Sequence, residues 1–386
     1  MPEHFVLFDA GPVDRPVLFT APRRLVVARD AAELPAALAE LGRARAEGRW
    51  LAGYCSYELG YLLEPKLAPL LPPDRRTPLI CFGVFEAPET AAAEDLLAAA
   101  EGECAAIRLT RPQPLWTEAQ YLAAFARVKA YIAAGDIYQA NLTFPLSARA
   151  EGSPLGLYAA LRRRQPVRHG ALACLGEGPT ILSRSPELFF RVDAAGHAET
   201  RPMKGTTPRG ESETEDRRLA DFLRSDPKNR AENLMIVDLL RNDLGRVAKI
   251  GSVEVPELFT VEHYTTVHQM TSLVRAELRD AIGLPELLQA LFPCGSVTGA
   301  PKVRAMEIIR ELEPAPREAY CGAVGWAAPD GSASFNVAIR TLSLFDDGSV
   351  TLNVGGGVVH DSTGPAEYEE ALWKARFANL PPPTSA

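Results

Sequence analysis

Between Thr117 and Leu244 the chain sets helical and strand-like runs in an order that no regular β-α-β alternation produces, and this limits its fold more than any other feature. Thr117-Glu118 opens an amphipathic helix reaching about Ala134, with Tyr121, Phe125, Val128 and Ile132 at helical spacing, and Gly135 stops it. Strand-like runs follow at Tyr138 to Leu146, Ala171 to Ala173, Thr180 to Ser183 and Leu188 to Val192. Ser225-Asp226-Pro227 then opens a helix that Gly245 ends. The order favours an α+β layer architecture over a doubly wound sheet.

A chain of 386 residues has length for two or three domains at roughly 150 residues each. The first ~110 residues alternate short apolar runs with turn clusters around one Ala/Leu-rich helix near 31–47. Ala91 to Ala106 is an Ala-rich helical connector, and 381–386 is a frayed tail. We therefore divide the chain into an N-terminal part (1–110), a region carrying the chemistry (111–380) and the tail. A net charge of -8 argues against nucleic acid or an anionic membrane as main partner. The start, Met-Pro-Glu-His, shows no secretory signal, and no run approaches the ~20 apolar residues of a membrane span. Six scattered cysteines without a C-x-x-C pair fit reduced thiols in the cytoplasm.

Several segments carry groups with chemical potential. Arg201-Pro202-Met203-Lys204-Gly205-Thr206-Thr207 places one lysine on a Pro- and Gly-bracketed turn. The helix Asn229 to Leu244 is apolar nearly all round, which predicts burial, with Glu232 near its N-terminus. Taken alone, Glu232 is a glutamate favoured by the helix dipole. In Gly364-Pro365-Ala366-Glu367-Tyr368-Glu369-Glu370-Ala371-Leu372-Trp373-Lys374, spacings of three and four put Glu367, Glu370 and Lys374 on one face. That face is equally the solvated Glu/Lys side of an ordinary helix. Gly355-Gly356-Gly357 precedes it after a strand (Ser349 to Val354), and consecutive glycines let backbone amides approach an anion. Pro293 to Lys302 is a second Gly/Ser/Thr-rich turn entering a helix, without P-loop spacing. Arg340 follows the strand run from Asn336, as a carboxylate clamp or a structural ion pair.

As a set these segments resemble the chorismate-utilising enzymes, and their aminodeoxychorismate branch in particular. The resemblance is carried by Gly135 to Thr143, Ser185-Pro186-Glu187, Pro202 to Thr206, Asp238 to Arg246 and Gly295 to Lys302, and covers roughly residues 117–377. It implies two antiparallel-rich β-sheets packed together with helices outside. It implies Mg²⁺ held by Glu232 and Glu370, with Glu367 at or one water from the metal. Substrate-holding positions fall on Arg340, Tyr320, Ser296, Thr206, Lys374 and the amides of Gly355 and Gly357. Lys204 is then the nucleophile and Glu187 the general acid of a Mg²⁺-dependent amination of chorismate by ammonia. Physics agrees that a cation is needed: a carboxylate about 4 Å from a glutamate is repelled by roughly 4 kcal/mol at an effective dielectric of 20. Oxygen ligands without a His/Cys set favour Mg²⁺.

The anthranilate synthases, which form the alternative reading, have alanine in place of Lys204, and their active-site histidine falls on Gln269, with His268 one position earlier. Cys294 stands where a small residue is usual. No nucleophile-elbow cysteine with a trailing His-x-Glu is seen. The resemblance thus implies a separate glutamine amidotransferase as ammonia source and an aminodeoxychorismate lyase downstream, leading to p-aminobenzoate and folate.

Overall fold

The strand Phe5–Phe8 is apolar on both faces, and a strand of that kind must be covered twice. Val6 and Phe8 join a core between two sheets, while Phe5 and Leu7 join a core beneath helices. The computed structural model describes residues 3–264 and 267–381, and among them twenty strands form two sheets of ten. One sheet runs in the order Gly299–Ala300, Gln139–Glu151, Ser349–Val358, Thr341–Leu344, Thr180–Ser185, His169–Cys174, Phe5–Phe8, Val17–Thr20, with two short strands also on Gln139–Glu151. The other runs Met203–Pro208, Val267–Glu277, His197–Arg201, Leu188–Val192, Ala333–Val337, Ala323–Ala327, Trp50–Cys55, Ile80–Phe85, Arg24–Ala28, with Glu254–His263 beside Val267–Glu277. All these pairings are antiparallel.

The sheets pack face to face through Val6, Phe8 and Phe19 on one side and Tyr54, Phe85 and Trp326 on the other. Phe19 and Phe85 meet across the gap with ring centroids 5.4 Å apart. Helices Ala91–Glu103, Glu118–Ala134 and Pro154–Arg164 cover the first sheet through Leu97, Phe125 and Leu161. Helices Leu34–Ala46, Pro227–Gly245 and Leu284–Leu291 cover the second through Leu41, Leu240 and Leu288. This is the α+β architecture expected, with helices outside two antiparallel sheets. Segments on either side of residue 110 share both sheets: Phe5–Phe8 pairs with His169–Cys174, and Trp50–Cys55 with Ala323–Ala327.

The Thr117 start is real: its hydroxyl accepts from the Gln120 amide in a capping box, and Gly135 closes the helix at φ 81°. Ala91 to Ala106 is helical as expected, over Ala91–Glu103, and beyond connecting it packs Ala93, Leu97 and Ala100 into the core. The helix around Glu232 is buried on one side only, and Leu234 is 44% exposed, because Ile236, Val237, Leu240 and Leu244 suffice to cover the sheet. Helices Pro154–Arg164 and Glu213–Ser225 were unforeseen. The second buries only Ala220 and Leu223, so its apolar periodicity is too thin to see. The expected tail lies outside the described residues apart from Pro381. No helix among the described residues is long and apolar enough to cross a membrane.

Candidate active site

Two segments pass from one sheet to the other side by side. Ser185 ends a strand of the first sheet and Leu188 begins one of the second, while Val337 and Thr341 mark the reverse crossing. The Val337 amide donates to the Glu187 carbonyl at 3.1 Å and the Arg184 amide to the Arg340 carbonyl at 2.9 Å. Glu187 and Arg340 are therefore delivered together. The crossing also forces Arg340 to φ 51°, a left-handed conformation that costs a non-glycine residue about 1–3 kcal/mol. Glu187 is buried, and burial pushes its carboxyl up to about 7 against the opposing pull of Ser296, Lys204 and Arg340. The Ser296 hydroxyl donates to Glu187 Oε1 at 2.7 Å. The guanidinium of Arg340 is half-buried and, among the described residues, makes no hydrogen bond or ion pair. Burial lowers its pKa, and only the Glu187 charge opposes that.

Lys204 does not sit on a turn. It belongs to the edge strand Met203–Pro208, at a bulge where the register against Val267–Glu277 is lost between Met203 and Thr206. Gly205 takes φ 83° there, and a methyl group on it would land 2.8 Å from Asn229 Oδ1. Burial lowers the Lys204 pKa and the Lys374 charge adds to this, while Glu232, Glu187 and Glu370 pull the other way. Its amine too has no hydrogen-bond or ion-pair partner among the described residues. Buried or half-buried charges are normally paired, so a lysine and an arginine that both feel the Glu187 charge yet stay unpaired point to an anionic ligand.

The three glycines lie inside the strand Ser349–Val358 rather than after it, opposite Thr143, Leu142 and Asn141 of Gln139–Glu151. A methyl on Gly355 would fall 2.2 Å from the Leu142 carbonyl oxygen, and one on Gly356 would fall 3.0 Å from Glu367 Oε2. On Gly357 it would fall 3.1 Å from both Gln139 Nε2 and Lys204 Nζ. The strand thus passes under the lysine only because it lacks side chains. In an antiparallel ladder alternate amides of such a stretch point away from the paired strand.

Glu367 and Glu370 project from the helix Gly364–Lys374 and Glu232 from Pro227–Gly245. Glu367 Oε1 accepts from the Ser362 hydroxyl at 2.7 Å. Lys374 Nζ lies 2.8 Å from Glu370 and donates to the Gly355 carbonyl at 2.9 Å. Burial raises the Glu232 carboxyl, with Glu367 and Glu370 adding to this and Lys204 and Lys228 opposing it. Partial burial acts on Glu370 as well, but the neighbouring lysines, Lys374 foremost, hold it below its usual range. Among the described residues no three His, Cys, Asp or Glu side chains converge as a ready metal shell. Glu232, Glu367 and Glu370 are nevertheless oxygen donors of the type a hard divalent cation takes, and such a cation would offset the repulsion of Glu232 by the other two.

The remaining predicted positions are mixed. Ser296 faces Glu187, and Tyr320 is buried with its phenol pushed up by burial. Thr206 is exposed, and its hydroxyl donates to Gln269 Oε1 at 2.8 Å. The Cys294 and Cys321 thiols are pushed up to about 12 by burial and are not thiolates near neutrality. Gln139 received no role from the sequence. It is fully buried, neither Nε2 nor Oε1 has a partner among the described residues, and it converges with Lys204 on the space above Gly357. The only available signal was its place in the run Gly135 to Thr143, which it shares with the polar Asn141 and Thr143.

Comparison with known proteins gives the family and the fold. The family model described as chorismate binding enzyme matches residues 26–379. Aminodeoxychorismate synthase component 1 of Salmonella typhimurium is 46% identical over 258 residues, 67% of this chain and 56% of that protein. Anthranilate synthase component 1 3 of Haloarcula marismortui is 44% identical over 259 residues, 67% of this chain and 51% of that protein. The chain thus spans about half the length of the curated relatives it matches. The crystal structure of anthranilate synthase component I from Streptococcus pneumoniae superimposes with a TM-score of 0.78 at 25% identity, covering 98% of this chain and 93% of that one.

Proposed function

The chain belongs to the chorismate binding enzyme family, and we propose that it acts as component I of an aminodeoxychorismate synthase, aminating chorismate at C4 with ammonia. The observation that carries this reading is the unpaired amine of Lys204, lowered in pKa by burial, within reach of the charge of the buried acid Glu187. Burial moves the two groups towards each other on the pH scale. A neutral amine and a protonated carboxyl can then coexist near neutrality, as nucleophile and general acid require.

In this mechanism Lys204 forms a bond to ring carbon C2, the ring double bonds shift, and the C4 hydroxyl leaves as water with the proton of Glu187. Ammonia adds at C4, the double bonds shift back, and Lys204 departs as the free amine, giving 4-amino-4-deoxychorismate. Arg340 offers a bidentate clamp for a substrate carboxylate, and the free amides of the glycine strand bind the same anion from below. Glu232, Glu370 and Glu367 would hold Mg²⁺, which would offset carboxylate–carboxylate repulsion when the substrate enters.

Ammonia comes from a separate glutamine amidotransferase in this reading, and a lyase converts the product to p-aminobenzoate on the way to folate. A reducing cytoplasm suits the six free cysteines. Anthranilate synthase component I is the second reading, favoured by matches such as the Haloarcula protein. Product analysis with chorismate, MgCl₂ and ammonium chloride separates them. We expect a product that an aminodeoxychorismate lyase turns into p-aminobenzoate, and its loss in Lys204→Ala. Anthranilate with pyruvate would replace the reading by the second one. Full activity in Lys204→Ala would remove the covalent step.

A further inference from the structure

The Lys204 amine makes no hydrogen bond of its own among the described residues, so its direction depends on the backbone that carries it. That backbone is the weakest kind of strand: it lies at a sheet edge, and its ladder is interrupted between Met203 and Thr206. One side chain spans the interruption. Gln269, opposite Thr206 in the register, donates from Nε2 to the Gly205 carbonyl at 2.7 Å and accepts from the Thr206 hydroxyl at 2.8 Å. Both amide groups are thus used on the two residues that follow Lys204. On the other side Gly205 rests against Asn229, whose side chain is tied to Asp226 at 2.8 Å, one helical turn before Glu232.

We infer that Gln269 is the positioning residue for Lys204. It holds the bulged peptide so that the amine stands over Gly357 beside Gln139 rather than swinging to solvent. The inference rests on the reading of Lys204 as the reacting amine, and it adds a residue that acts through the backbone carrying that amine.

Gln269→Met keeps the length and approximate volume of the side chain and deletes both hydrogen bonds. In ammonium-dependent turnover of chorismate we expect kcat to fall by about tenfold to a hundredfold, as misplacement of a reacting group by an ångström does. KM for chorismate should stay within about twofold, because Arg340 and the glycine amides are untouched. Thr206→Ser keeps the hydroxyl and should retain most of the rate, whereas Thr206→Val should lose part of it. A readout independent of turnover is acetylation of Lys204 by trace acetic anhydride, mapped by peptide mass spectrometry. It should accelerate severalfold in Gln269→Met while the thermal midpoint moves by less than about 3 °C.

Unchanged kcat and unchanged labelling in Gln269→Met overturn the inference. So does a large drop in thermal midpoint with Lys204 labelling unaltered, which would mark a purely structural residue. Lys204→Ala with full activity would instead sink the underlying mechanism, and the labelling result would still report whether Gln269 directs the amine.

Discussion

Gln139 shows most clearly how a functional residue can cost the fold stability. A buried amide with neither atom satisfied costs about 1–3 kcal/mol, and a cavity that keeps one is waiting for a partner. Gln139→Met preserves volume and removes the unsatisfied atoms. Urea unfolding without ligand should therefore show a gain of about 1–2 kcal/mol, while chorismate turnover falls about tenfold or more. A variant that is both less stable and fully active would mean that the amide serves only packing. Glu187 obeys a similar logic with pH as the variable. Its carboxyl, at about 7 when folded, lies above its ordinary value, so the stability it lends is complete below about pH 4.3 and is lost as pH rises through 7. Glu187→Gln cannot ionise. It should match the parent at pH 4.5 and exceed it at pH 8, by up to about 3 kcal/mol in urea unfolding, while losing turnover. Turnover of the parent should trace a bell in pH, because it needs Glu187 protonated and the Lys204 amine neutral at once.

Among the elements, the glycine strand Ser349–Val358 divides fold from function within three residues. At Gly355 an added methyl meets the main chain of the neighbouring strand at 2.2 Å, and two paired strands cannot both give way. At Gly357 it meets only the ends of Gln139 and Lys204, at 3.1 Å, which can move aside. Gly355→Ala should therefore lower stability by about 2 kcal/mol or more, and Gly357→Ala by less than about 1. Gly357→Ala should nonetheless lose most of its turnover, because the methyl displaces the amine. Thermal melts and kinetics on the two variants decide this, and equal loss of stability in both would refute the division. The sequence showed that this strand and its glycines mattered, but placed them after the strand, since glycine runs usually read as turns. Lys204, Glu187 and Arg340 were legible because their short motifs survive without any knowledge of the fold. Gln139 and Gln269 were not, because one is defined by a missing partner and the other by a bulge, and both exist only once strands distant in sequence are paired. The charged helix Glu213–Ser225 escaped notice for a simpler reason: it buries only two residues, too few to set a period.

On the scale of the whole molecule, Glu187 and Arg340 lie where strands cross between the sheets, and their placement depends on a core that the N-terminal third helps to build. Val6, Phe8, Val17, Phe19, Ala52, Tyr54, Cys81 and Phe85 all precede residue 110 and supply eight of the seventeen buried residues in the cluster between the sheets. The strand His169–Cys174 leads through a pairing with Thr180–Ser185 to Glu187, and its other edge is closed by Phe5–Phe8. Ala323–Ala327 is paired in the same way with Trp50–Cys55, and the adjoining strand Ala333–Val337 leads to Arg340. A fragment of residues 111–386 would keep every residue assigned a chemical role, yet leave Ala171, Ala173, Val324 and Trp326 bare on two strands that each lose a partner, with Ile181 uncovered beside them. We expect that fragment to aggregate or to bind an apolar dye strongly, and the full chain to unfold in one cooperative transition by calorimetry. A fragment that stays monomeric and melts sharply would show that the region carrying the chemistry folds alone. The double crossing would then be held by the helices outside the sheets rather than by the core between them.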